Sequence, residues 1–82
     1  MVKVKYTSRL RIELGRESEE VKASDLNELL QTLASEHGER FASWLPYCRI
    51  FVNGASAALL QGEQTPLKPG DQVVFLLPVA GG

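Results

Sequence analysis

Few residues in this chain are equipped for chemistry. One histidine, His37, and one cysteine, Cys48, fall on what read as different elements, too few to supply the three or four ligands of a zinc site, so no metal is expected. Gly15 and Gly38 stand alone and no GK[ST] run occurs, which leaves neither a Walker loop nor a glycine fingerprint to hold a nucleotide. Cys48 opens an apolar strand with no histidine close in sequence, a setting that suits a small buried hydrophobe better than a nucleophile. His37 falls in the last turn of a helix, where its charge suits the dipole. The Glu17, Glu19, Glu20 run reads as a solvated turn.

The remaining candidate is the ending Leu77-Pro78-Val79-Ala80-Gly81-Gly82. Pro78 has no N–H to give to a ladder, so the last strand should stop there and leave residues 78–82 as a flexible tail. Five extended residues reach about 16–18 Å, enough to thread a partner's pocket. Glycine lacks a Cβ, so the final pair suits a narrow channel in which another backbone approaches closely. With glycine near about 7% of residues, two terminal glycines arise by chance in roughly 0.5% of proteins. What such a tail presents is the carboxylate of Gly82. A carboxylate is inert toward nucleophiles because its leaving group would be oxide. An ATP-dependent partner can convert it to an acyl-adenylate, and sulfur from a persulfide can then replace AMP to give a thiocarboxylate.

The elements that must hold this tail can be read from periodicity. Val2, Val4 and Tyr6 alternate with Lys3 and Lys5, which predicts a half-buried opening strand. Leu10, Ile12 and Leu14 continue the alternation and suggest a second strand over 9–14, a segment the sequence leaves open to a short helix as well, with 20–23 as a rival strand candidate. Asp25 with Glu28 matches a capping box, and Leu26, Leu29, Leu30, Leu33 and Ala34 recur at helical spacing, predicting a helix of about fourteen residues that closes at Gly38. Phe41, Trp44 and Leu45 form an apolar connector, and Pro46 is expected to stop any further helix. Residues 48–52 read as a strand, Asn53-Gly54 as a tight reversal, Pro66, Pro69 and Gly70 as a turn, and 72–77 as the last strand. One main helix laid across a mixed sheet is a two-layer α+β domain, the ubiquitin-like β-grasp arrangement, over residues 1–77.

The period of two also sorts the last strand. Val73, Phe75 and Leu77 fall on one side and Val74 and Leu76 on the other. Phe75, the bulkiest, belongs beneath Leu29, Leu30 and Leu33, so Val74 and Leu76 are expected on the open face with Phe51, as a docking patch beside the tail.

Composition narrows the partners. The 82 residues are 44% hydrophobic and 23% charged, with nine Lys and Arg against ten Asp and Glu for a net charge of -1. No basic run tracks a phosphate backbone, so nucleic acid is not expected. The longest apolar run, 73–77, is too short to cross a bilayer, so no membrane anchoring is expected. A single cysteine makes no intrachain disulfide and fits a reducing cytoplasm.

The opening strand followed by Arg11, the Leu14-Gly15 pair, Val52-Asn53-Gly54, Pro66-Leu67-Lys68-Pro69-Gly70-Asp71 and the ending Leu77-Pro78-Val79-Ala80-Gly81-Gly82 together resemble the MoaD/ThiS family of sulfur carriers over the whole chain, nearest to its MoaD branch. The resemblance implies a non-catalytic small subunit of molybdopterin synthase. Its Gly82 would be adenylated by a MoeB-like activating enzyme that uses ATP, would take sulfur from a sulfur donor, and would enter a MoaE-like large subunit. Related carriers serve cysteine, thiamine thiazole or tRNA thiolation, and the ending also resembles the cysteine-forming type. A ubiquitin-like modifier joined to lysines needs the same activated glycine, and a passive interaction domain with an incidental tail is a third possibility.

Overall fold

The first and last strands lie side by side. The computed structural model describes residues 1–77; the tail residues Pro78, Val79, Ala80, Gly81 and Gly82 lie outside them. Strand β1 (Val2–Tyr6) pairs in parallel with β5 (Gln72–Leu76), from Lys3 opposite Gln72 to Tyr6 opposite Phe75. Around this pair are built β2 (Ser18–Val21), antiparallel to β1, and β3 (Arg49–Val52), antiparallel to β5, with β4 (Ala55–Ser56) beyond it. The mixed sheet has the order β2-β1-β5-β3-β4.

The main helix, α2 (Leu26–His37), covers one face. Its start is held reciprocally: the Glu28 N–H donates to Asp25 Oδ1 at 2.8 Å, and the Ser24 N–H donates to Glu28 Oε1 at 2.6 Å. Leu26, Leu29, Leu30 and Leu33 turn inward to meet Val2, Val4, Val73 and Phe75 in one core. Phe41 joins them edge-on to the Phe75 ring at 5.4 Å. Apolar burial of this kind contributes about 25 cal/mol per Å² removed from water. The Asn53-Gly54 reversal closes the β3–β4 hairpin with positive φ at both residues, 50° and 86°, and the Asn53 N–H donates to the Gln72 carbonyl at 2.8 Å.

Three expectations need correction. Residues 9–14 are not a strand: Ser8–Leu14 is a helix, α1, closed by Gly15 at φ 68°. The spacing of Leu10 and Leu14 fits one helical face as well as a strand face, and burial separates the two, since Leu10 is fully buried while Ile12 is 71% exposed. The second strand lies at Ser18–Val21 rather than 20–23 or the solvated turn read from its glutamates. Helix α2 spans twelve residues; the connector after it carries a further short helix, α3 (Glu39–Ala42), and Pro46 sits inside a 3-10 turn at Leu45–Tyr47 instead of stopping all further helix. Proline tolerates a first helical turn because its missing N–H has no partner there anyway.

The helical reading of 8–14 is testable by unfolding in denaturant. Leu10→Ala is expected to cost about 2–5 kcal/mol as a core truncation, and Ile12→Ala less than about 0.5 kcal/mol as a surface change. Equal losses would put Ile12 back in the core and restore a strand.

Candidate functional site

Strand β5, which precedes Pro78 in the chain, lies in the middle of the sheet. Its last described neighbours hold it from both sides. The Thr7 N–H and Oγ1 both donate to the Phe75 carbonyl, at 3.2 and 2.9 Å, and Arg49 of β3 stands opposite Leu76. Leu77 is buried, so the chain is anchored up to the residue before Pro78. At the other end of β5, the Lys68 N–H donates to Asp71 Oδ2 at 2.8 Å, and this bond, helped by Asn53, holds the Asp71 carboxyl below its ordinary range. Gly70, at φ 91°, provides the sharp turn that brings Asp71 to the strand.

The open face of the sheet follows from the registers, because residues directly opposite on neighbouring strands share a side. One row crosses all five strands: Ser18, Lys5, Val74, Phe51 and Ser56. The next row places Leu76 beside Arg49. Phe51, Val74 and Leu76 are half-buried, and Val73, Phe75 and Leu77 are buried on the helix side. The three apolar side chains therefore stand together on the open face toward the end of β5, with Lys5 and Arg49 at their margins.

The other chemical candidates are brought elsewhere. Cys48 is half-buried, donates to the Trp44 carbonyl at 3.4 Å, and has its thiol pushed up to about 11 by burial. It is a poor thiolate at neutral pH. His37 is not merely a cap for its helix: its Nε2 lies 2.7 Å from Glu19 Oε2, which also accepts a 2.5 Å hydrogen bond from the Tyr6 hydroxyl. Arg16 reaches the other oxygen at 3.1 Å. The Tyr6 hydroxyl is pushed well above its usual range, first by burial and then by its bond to Glu19. Sequence reading missed this network, although the signal was present. Glu19 shares the face of Val21 in a period of two, and its register partner is Val4, so the carboxylate points to the core side. A carboxylate placed there requires partners, and His37 and Tyr6 supply them.

Comparison with known proteins follows the same architecture. Residues 4–82 match the model of the ThiS family. No curated protein matches the sequence. A chain in the complex of subunits 1 and 2 of molybdopterin-converting factor from Helicobacter pylori is similar, with 33% identity, a TM-score of 0.73, and 99% of this chain and 97% of that chain covered. A chain in the BexX/CysO complex of Amycolatopsis orientalis is 26% identical over 100% of both chains, with a TM-score of 0.85. Small archaeal modifier protein 1 from Methanosarcina acetivorans shares the fold, with a TM-score of 0.85 and 24% identity over 99% of this chain and 95% of that one.

The Glu19 network makes stability depend on acid. Burial works against the Glu19 charge, but the hydrogen bonds from Tyr6 and His37 and the charges of His37 and Arg16 outweigh it and hold the carboxyl below its ordinary 4.5. A depressed carboxyl stabilises the fold fully above that value, and the contribution is lost as pH falls through the lower folded-state value. Glu19→Gln should cost about 1–2 kcal/mol at pH 7 and flatten the loss of stability below pH 4.5 in urea titrations. An acid limb identical to the wild type would assign it to other carboxylates.

Proposed function

The chain belongs to the ThiS family of ubiquitin-like sulfur carriers, and from that premise we propose that its working group is the Gly82 carboxylate, which carries sulfur as a thiocarboxylate toward molybdopterin. Residues 1–77 are the body, and residues 78–82 are the tail that enters partner pockets. A MoeB-like enzyme supplies ATP. A Gly82 oxygen attacks the α-phosphorus, pyrophosphate leaves, and the acyl carbon is now bonded to AMP. Persulfide sulfur displaces AMP, and a second thiol cleaves the resulting sulfur–sulfur bond to leave the thiocarboxylate. The nucleotide belongs to the activating enzyme, and this chain contributes no side chain to the step.

The observation that carries the molybdopterin reading is the 33% identity, over nearly the full length of both chains, with a chain of the Helicobacter pylori molybdopterin-converting factor complex. In this reading Pro78, Val79, Ala80 and Gly81 thread a MoaE-like large subunit, and Phe51, Val74 and Leu76 dock against it. The catalytic residues are on the large subunit. A second reading keeps the thiocarboxylate but delivers it to another acceptor, in cysteine, thiazole or tRNA thiolation. It is supported by the likeness to a chain of the BexX/CysO complex. Among the described residues no helix is long and apolar enough to cross a membrane, and the cytoplasm is the proposed location.

Incubation with activating enzyme, ATP and a sulfur donor should raise the intact mass by one oxygen-to-sulfur exchange at Gly82, and deletion of Gly82 should abolish the gain without changing thermal stability. An unchanged mass with every cognate activating enzyme would remove the carrier reading. Transfer to the molybdopterin precursor by a MoaE-like subunit separates the two acceptor readings.

Docking is tested separately by Leu76→Glu, which should weaken binding to the large subunit at least tenfold while the isolated domain melts as before. Unfolding of the variant, or unchanged binding, would remove Leu76 from the docking face.

A further inference from the structure

Two strands away from β5, where the edge strand β2 meets the last turn of α2, three ligand-bearing side chains converge. One donor atom each from Glu19, Glu36 and His37 lies within 4.8 Å of the other two. The contact between His37 and Glu19 accounts for only part of this. Glu36 is exposed and makes no ion pair among the described residues, and it adds a second negative charge beside Glu19, toward which both Arg16 and His37 are already directed. Like charges this close repel unless something positive stands between them. The end of α2 also favours a cation, because the helix dipole leaves its unpaired carbonyls with partial negative charge.

The geometry points to a mononuclear site for a divalent transition metal of the zinc class, held by a carboxylate oxygen of Glu19, one of Glu36 and Nε2 of His37, with the remaining positions open to water. An imidazole nitrogen with two carboxylates suits zinc, cobalt or nickel rather than magnesium or calcium, which prefer oxygen alone. Metal–ligand bonds of about 2.0–2.2 Å place neighbouring donors roughly 3.3–3.5 Å apart. Glu36, being exposed, is free to close that distance, and Glu19 exchanges its bond with His37 for a shared metal. The Tyr6 hydroxyl then remains as the outer partner that orients the Glu19 carboxylate. The sequence-based expectation of no metal counted only His37 and Cys48. It left out carboxylates that the fold brings to the histidine from another element.

The site is independent of the tail chemistry and is tested on the full chain by calorimetric titration with zinc and by NMR with cobalt. Zinc should bind with one-to-one stoichiometry and raise the melting temperature progressively with its concentration. Cobalt should shift or broaden the His37 ring signals. Glu36→Gln should lower zinc affinity at least tenfold while leaving the metal-free melting temperature unchanged, since the Tyr6–Glu19–His37 contacts do not use Glu36. His37→Gln should do the same to affinity, and Cys48→Ser should have no effect. The proposal is overturned by an absence of saturable binding up to about 1 mM zinc, by equal affinity in wild type and Glu36→Gln, or by loss of binding in Cys48→Ser.

Discussion

The parallel pairing of β1 with β5 is the constraint on which the rest of this molecule hangs. It joins residues almost seventy positions apart, Lys3 to Gln72 and Tyr6 to Phe75, so it forms only when the intervening chain has been accommodated. Two parallel strands cannot be linked by a tight turn and require a crossover, which is why the helices must lie between them in sequence. A parallel pair also leaves its inner face in need of cover, and α2 supplies it with four leucines. Strand β2, reached through α1, and the β3–β4 hairpin then extend the sheet at its two sides. Loss of the central pair would leave each half without enough apolar area to offset its ordering entropy.

Much of this plan was legible in the sequence because it depends on short-range rules. The capping box at Ser24-Asp25 and Glu28, the leucine spacing of α2, the Asn53-Gly54 reversal and the two-sided pattern of Val73 to Leu77 each reappear where their residue types placed them. Residues 8–14 were not legible for a specific reason. Apolar residues at 10, 12 and 14 satisfy a strand period, and 10 with 14 alone satisfies a helix, so the pattern decides nothing until Ile12 is seen in solvent. Tertiary packing made the choice, as it does for short apolar segments generally.

The candidate site divides along the same line. Phe51, Val74 and Leu76 were placed together by counting along strands, since alternation fixes a face once one residue on the strand is known to be buried. The meeting of Glu19 with His37 and Tyr6 could not be counted in that way. Their contact depends on which strand lies at the edge and on where the main helix ends above it, both properties of the assembled sheet. The glutamate run looked like solvated charge because three acidic residues in a row of four usually are, yet only Glu19 falls on the inward register.

The central position of β5 has a mechanical consequence. Any partner that grips the last residues and pulls transmits the load straight along β5, whose neighbours β1 and β3 bond to it on both sides. The ladder bonds lie across the direction of pull and share it, so they resist as a set in shear and do not open one after another as an edge strand peeling away would. A load applied along β5 is therefore met by both of its neighbours at once, and the sheet stays closed under it.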